Sequence, residues 1–188
     1  MNFANKISIS RILSVPFFVA SLIYYSPNKD YIRLLALAIF IFAVISDAVD
    51  GYIARKSKQQ SKAGLVLDPL GDKLIIMSAF IGLSFDKFNP HFPLWVTLII
   101  ISRDIIILLG AVVIFIVKQD INVSPTVWGK LTTIFQMTAV LIILARFKIG
   151  IEFIFWWLAV IFTVVSGIDY IRRGFKILYA VDNSRNSH

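Results

Sequence analysis

Four aspartates, Asp47, Asp50, Asp68 and Asp72, sit inside or at the mouth of two strongly apolar segments. A charged group in such a setting is costly unless it is paired, hydrated or bound to a cation. Asp47 and Asp50 are three residues apart and Asp68 and Asp72 four apart, so on helices each pair shares one face, a turn apart. With the two segments antiparallel across the short 56–62 stretch, both pairs fall at matching depths, roughly 6–12 Å below the loop. The spacing therefore predicts a cage of four carboxylates between two helices. They cannot all stay ionised without counter-charge, so either some are protonated or divalent cations sit among them. An all-oxygen donor set selects Mg²⁺, Mn²⁺ or Ca²⁺ over zinc, and Mg²⁺ commonly completes its shell with substrate phosphate oxygens.

Gly51, Ala54 and Gly64 flank the cage. Small residues there allow close helix packing, and they equally allow a bulky ligand to approach the backbone; one arrangement serves both roles. Arg55 beside the cage is either a snorkelling topology residue or a clamp on phosphate. The presence of the cage favours the clamp.

The elements that must position these groups are read from composition. Of 188 residues, 58% are hydrophobic and only 16% charged, against about a quarter charged in a soluble domain. Six apolar spans of about 20 residues or slightly more are legible, roughly 8–26, 32–54, 64–85, 92–117, 127–146 and 151–171. They predict an all-α integral membrane protein with six transmembrane helices in one bundle and a single membrane domain over residues 1–188. The opening Met1–Lys6 reads as the start of a retained first helix rather than a removed signal. Arg11 stands inside the apolar stretch that follows, and no clean small-residue cleavage site is seen. The absence of cysteine excludes disulfides and thiolate chemistry.

The net charge of +8 is unevenly spread. An even number of spans puts the N-terminus, the 55–62 loop, the 118–126 loop and the C-terminus on one side. Twelve lysines and arginines lie there, Arg55, Lys56, Lys58 and Lys62 among them, against five on the other side (Lys29, Arg33, Lys87, Arg146 and Lys148). That asymmetry predicts cytoplasmic N- and C-termini. The basic rim is accounted for by topology and by attraction to anionic headgroups, with no nucleic-acid partner required. Turn residues mark the opposite loops, Ser26–Asp30 and Asn89–Pro93. Ser124 reads as an N-cap with Pro125 at the first position of span five. Trp128, Trp156 and Trp157 suit the membrane–water boundary, and Asn183–His188 are expected to be disordered.

The frame Asp47-x2-Asp50-Gly51-x2-Ala54-Arg55-x8-Gly64-x3-Asp68-x3-Asp72 resembles the signature of the CDP-alcohol phosphatidyltransferase family, with every fixed position filled and every gap right. The similarity extends over the whole chain, the six-span layout included. It implies a homodimeric enzyme of the bacterial-type inner (cell) membrane, its active site facing the cytoplasm, which displaces CMP from a CDP-linked lipid or alcohol with an acceptor hydroxyl. By the same resemblance Asp47, Asp50 and Asp68 would hold Mg²⁺ or Mn²⁺, one or two ions. Asp72 would be the general base toward the acceptor and would also contact metal. Asp50, Gly51, Ala54, Arg55 and Gly64 would line the CDP pocket, with Arg55 near the diphosphate. The physics suits this, because cations and guanidinium groups stabilise charge developing at phosphorus while a carboxylate takes the incoming proton.

Outside the frame, Arg11 in span one, Arg103-Asp104 in span four and Lys130 in the first turn of span five interrupt apolar sequence. Neighbouring Arg and Asp within a membrane are most often neutralised by partners in the bundle. The alternative is an anionic acceptor site built on Arg103 and Lys130, with Arg11 a third candidate, suited to a phosphate-bearing alcohol. Asn5–Arg11 with Pro16, and Gly129–Gln136, are similar to the matching segments of bacterial phosphatidylglycerophosphate synthases, a branch of the family. Three positions depart from that branch: Thr132, where a second lysine is usual, Asp104 in place of Glu, and Ala111 in place of a second Arg. Ile101-Ser102-Arg103-Asp104 looks more like the eukaryotic-type cardiolipin synthases. The expected reaction transfers a phosphatidyl group from CDP-diacylglycerol to glycerol 3-phosphate, with phosphatidylglycerol or inositol phosphate as alternative acceptors. A cation or proton transporter would instead place its acids near the midplane on broken helices. Here they cluster toward the basic, cytoplasmic end, which favours a reaction at headgroup level.

Overall fold

The apolar runs, punctuated by turns rich in Pro, Asn and Ser, fold into six helices and, among the described residues, no strand. They are α1 (Phe3–Tyr24), α2 (Asp30–Ser57), α3 (Gly64–Gly82), α4 (Leu94–Lys118), α5 (Val127–Ala145) and α6 (Ile151–Arg185). The computed structural model describes residues 3–57, 64–118, 126–147 and 150–185, with side-chain surroundings for 10–46, 48–49, 73–110, 126–147 and 150–174.

The helices follow the predicted spans, but several ends differ. α2 continues through Lys56 to Ser57, residues expected in the loop. α3 stops at Gly82 rather than 85. There the Ser84 hydroxyl donates to the Phe80 carbonyl at 2.6 Å and lies 2.5 Å from Thr97 Oγ1, so turn chemistry starts while the sequence is still apolar. α6 runs on to Arg185, so Asn183–Arg185 are helical and not disordered. Hydropathy marks where a chain suits lipid, whereas a helix needs only its own backbone hydrogen bonds to continue past that point. At α5 the N-cap is Thr126, not Ser124: its side chain accepts from the Gly129 amide at 3.0 Å. An oxygen two residues earlier is out of register for that N3 amide. Ser124 and Pro125 themselves lie outside the described residues.

α1 packs on α2 and α3, and α6 packs on α4 and α5; the two halves meet where α2 and α3 touch α5 and where α3 touches α4. Ala36, Ala43, Ala79, Ala139 and Ala159 are fully buried, letting backbones come close, while Phe18, Phe40, Phe80, Phe92 and Ile143 fill the space between. Polar groups are found inside: Arg11, Arg33, Arg103, Asp104, Thr132, Gln136, Thr163 and Ser166 are all buried. Large apolar side chains face outward, Phe17 at 70% exposure and Leu98 at 64% among them. Buried hydroxyls bond their own helices, Ser21 to the Phe18 carbonyl and Thr163 to the Ala159 carbonyl, each at 2.6 Å. Two helices among the described residues, Val127–Ala145 and the Ile151–Gly174 part of α6, are long and apolar enough to cross a membrane.

Three connections gather at one end. Tyr25, just after α1, stacks on Phe88 with ring centroids 4.4 Å apart, and the Lys87 ammonium donates to the Ile23 carbonyl at 2.9 Å. Arg146, after α5, bonds the Tyr25 hydroxyl and lies 3.0 Å from Asp30 Oδ1 at the start of α2. Arg33 reaches the Leu144 carbonyl. The 26–30 and 83–93 connections and the 146–147 exit from α5 are thereby placed on the same end, as alternation of six helices requires.

Candidate active site

The aspartate frame falls on two consecutive helices that pack against each other. Asp47, Asp50, Gly51, Ala54 and Arg55 belong to α2, and Gly64, Asp68 and Asp72 to α3. Each pair lies within uninterrupted helix, three and four residues apart. What these side chains touch lies outside the described residues.

The described residues add a charged cluster immediately beyond the frame. Lys73, the residue after Asp72, places Nζ 2.7 Å from Asp104 Oδ1 in α4. The same carboxylate oxygen accepts from Arg103 Nη1 at 2.7 Å, and Asp104 keeps only 2% of its side chain exposed. Arg103 Nη2 in turn donates to the Ser166 hydroxyl of α6. Two glycines leave room for the guanidinium: a Cβ at Gly167 would come within 3.4 Å of Arg103 Cγ, and one at Gly129 within 3.8 Å of Nη2. Arg103 Nε and Asp104 Oδ2 are buried without a hydrogen-bond partner among the described residues. Burying charges is tolerable only when they are paired and hydrogen-bonded, and the shared Asp104 oxygen provides that pairing.

The structure thus brings Arg103 beside the first turn of α5, one residue from Lys130, which is itself exposed. Arg103 is not an open cation: its charge meets Asp104, the neutralised arrangement that neighbouring Arg and Asp suggest. Arg11 is buried at 1% exposure and engaged, but on α1, which packs against the aspartate-bearing α2 and α3 rather than with α4 and α5. Of the three acceptor candidates, Arg103 lies beside the turn that carries Lys130, and Arg11 lies on α1, which packs on α2 and α3.

Lys73 and Ser166 were not singled out from sequence, nor was the polar seam between α5 and α6. In that seam Thr132 Oγ1 lies 2.9 Å from the Phe162 carbonyl, and Gln136 Nε2 donates to Thr163 Oγ1 at 3.2 Å. A signal existed for each half: Lys73 directly follows Asp72, and Thr132 and Gln136 are polar residues one helical turn apart in an apolar run.

Comparison with known proteins matches residues 1–165 to the model of a family described as CDP-alcohol phosphatidyltransferase. The CDP-diacylglycerol–glycerol-3-phosphate 3-phosphatidyltransferase of Bacillus subtilis strain 168 is 36% identical over 196 residues, covering 94% of this chain and 97% of that protein. Proteins of the same name from Pseudomonas fluorescens (32% over 185 residues, 92% and 89% covered) and Aquifex aeolicus (28% over 188 residues, 95% and 99% covered) are also similar. With the family's model matched over most of its length and such relatives aligned nearly end to end, the chain belongs to the CDP-alcohol phosphatidyltransferase family.

Proposed function

We propose that this enzyme transfers the phosphatidyl group of CDP-diacylglycerol to glycerol 3-phosphate, releasing CMP and forming phosphatidylglycerophosphate for phospholipid synthesis. The observation that carries the reading is the complete aspartate frame lying on two adjoining helices, in a chain that aligns over 94% of its length with a relative named for that reaction. It acts as one membrane domain over residues 1–188, with six spanning helices and both termini in the cytoplasm of a bacterial-type cell. Outward apolar side chains and inward polar ones support that placement, since lipid is the solvent such a surface suits. The basic residues on the side of the 55–62 loop support an active site facing the cytoplasm. A homodimer is the working form that family resemblance implies.

The donor set fits a hard divalent cation, because four carboxylates offer oxygen alone. Asp47, Asp50, Asp68 and Asp72 would hold one or two Mg²⁺ or Mn²⁺ ions, which neutralise charge on the diphosphate when bound. Gly51, Ala54 and Gly64 leave the backbone open to the nucleotide, Asp50 contributes to the same pocket, and Arg55 pairs with a diphosphate oxygen. Asp72 takes the proton of the acceptor hydroxyl. That oxygen then bonds to the phosphorus bearing diacylglycerol, the bond from this phosphorus to the oxygen of CMP breaks, and CMP leaves with the electron pair. Lys130, at the start of α5 beside the turn that Arg103 reaches, receives the acceptor's phosphate.

Purified protein in detergent with Mg²⁺ and CDP-diacylglycerol, offered glycerol 3-phosphate, phosphatidylglycerol and inositol phosphate in parallel, tests the reading. CMP release dependent on glycerol 3-phosphate is expected. Release with phosphatidylglycerol alone would reassign the enzyme as a cardiolipin synthase, and no release with any acceptor would overturn the enzymatic reading, leaving a transporter to be tested by ion flux.

A further inference from the structure

We infer that Asp104 is a positioning residue for the reaction: by holding Lys73 it fixes the turn of α3 that carries Asp72. The inference rests on the role proposed for Asp72 and concerns residues outside the aspartate frame. α3 lies mainly against α1 and meets α4 only sparsely, so apolar packing alone determines the α3–α4 register weakly. Across that sparse contact runs the 2.7 Å bond from Lys73 Nζ to Asp104 Oδ1. Asp104 is held from behind by Arg103, which is tied to Ser166 of α6 and seated between Gly129 of α5 and Gly167 of α6. The cluster therefore references the Asp72 turn to three other helices, among them the one that carries Lys130.

Two further observations separate this role from generic glue. Lys73 is one-third exposed and Asp104 almost wholly buried, so the fixed partner is Asp104 and the positioned one is Lys73. A buried acid with a second oxygen lacking a partner among the described residues is a poor stabilising device compared with an apolar residue of similar size. Its benefit is geometric. General-base catalysis needs the base within hydrogen-bond reach of the proton, and a displacement near 1 Å lowers rate on the order of 100-fold.

The test compares wild type, Asp104→Asn, Asp104→Glu, Lys73→Met and the Asp104→Asn/Lys73→Met pair for CMP release in detergent, with thermal melts of each. Asp104→Asn and Lys73→Met are each expected to lower kcat on the order of 10- to 100-fold with KM for CDP-diacylglycerol unchanged. The double variant should fall no further than either single, and Asp104→Glu should recover part of the loss. A merely structural role would put the overlap in the melts and the active fraction, with kcat per folded enzyme left at the wild-type value. Asp104→Asn or Lys73→Met at wild-type kcat, or losses that multiply in the pair, would overturn the inference. Lys73 is exposed enough for the methionine variant to report even where Asp104→Asn does not fold. Wild type without CMP release under any acceptor would overturn the underlying reading instead, which the first arm of the experiment registers separately.

Discussion

Arg146 Nη1 lies 3.0 Å from Asp30 Oδ1, joining the C-cap of α5 to the first residue of α2 at the end of the bundle away from the aspartate frame. Asp30 also receives Arg33 Nε at 2.9 Å and Nη2 at 2.7 Å, so a single carboxylate draws two guanidinium groups onto one point. Arg146 adopts a left-handed backbone, φ 52°, in which its amide bonds the Ile142 and Ile143 carbonyls. That conformation is unusual for a residue with a side chain. Here the helix-ending geometry coincides with the Asp30 pair and with the Tyr25 ring 6.0 Å away.

The Asp30 cluster makes stability depend on acid. The hydrogen bonds from Arg33, with the positive charges of Arg33 and Arg146, hold the Asp30 carboxyl below the usual carboxylate range, outweighing its partial burial. A depressed folded-state pKa means stability that is present above the unfolded value of about 3.9 and is lost as pH falls through the lower folded value. Melting temperature in detergent should therefore hold steady above pH 5 and decline in acid below about pH 4. Asp30→Asn should start lower and show a shallower acid decline. Parallel curves for the two proteins would refute the coupling.

Gly82, the last residue of α3, should not accept a side chain. A Cβ there would lie 2.5 Å from Leu22 Cδ1 and 3.2 Å from Leu22 Cβ, and Leu22 is buried with little room to retreat. Gly82→Ala is expected to destabilise by roughly 1–3 kcal/mol, the usual consequence of overpacking. Adding Leu22→Ala should return part of that loss, because the clash and the cavity offset each other. Denaturant unfolding of the single and double variants measures both terms, and strictly additive losses would show that the two residues do not press on one another.

Much of this layout was legible because an apolar run long enough to span a bilayer declares itself without any knowledge of its neighbours. The aspartate spacing was legible for a related reason: three- and four-residue intervals acquire meaning from helix geometry alone. The tie between Lys73 and Asp104 was not, since the two are 31 residues apart and only packing brings α3 to α4. Likewise, nothing local in Arg146 marks it as a left-handed cap, a position where Gly or Asn is the usual signal. The α6 extension escaped because its charged residues end the apolar run without ending the helix. Asp47, Asp50, Asp68 and Asp72 were placed on the right helices from sequence.

Asp72 and the cation should be separable by kinetics. Chelation of divalent metal is expected to abolish CMP release, with recovery on adding Mg²⁺ or Mn²⁺. Asp72→Asn should remain inactive at any metal concentration, with a loss on the order of 100- to 10,000-fold, since removing a general base typically costs that much. Asp47→Asn and Asp50→Asn should instead shift the metal requirement upward and regain turnover as metal is raised. Asp72→Asn that turns over normally at high metal would make it a ligand and not the base.

Lys130 should govern the acceptor and leave the donor alone. Arg103 is committed to Asp104 and Ser166, whereas Lys130 is exposed one residue from Gly129, in the first turn of α5, where helix N-terminal amides also favour an anion. A hydrogen bond to a charged group contributes about 1.5–3 kcal/mol, and each 1.4 kcal/mol is about tenfold in affinity. Lys130→Gln is thus expected to raise KM for glycerol 3-phosphate by roughly 10- to 100-fold, with KM for CDP-diacylglycerol unchanged. Lys130→Arg should retain most of the affinity, since charge matters more here than shape. Added salt should weaken wild type toward the variant, because the charge is at the surface and open to screening. An unchanged acceptor KM in Lys130→Gln would move phosphate recognition elsewhere, to Arg11 or to the residues around Arg103.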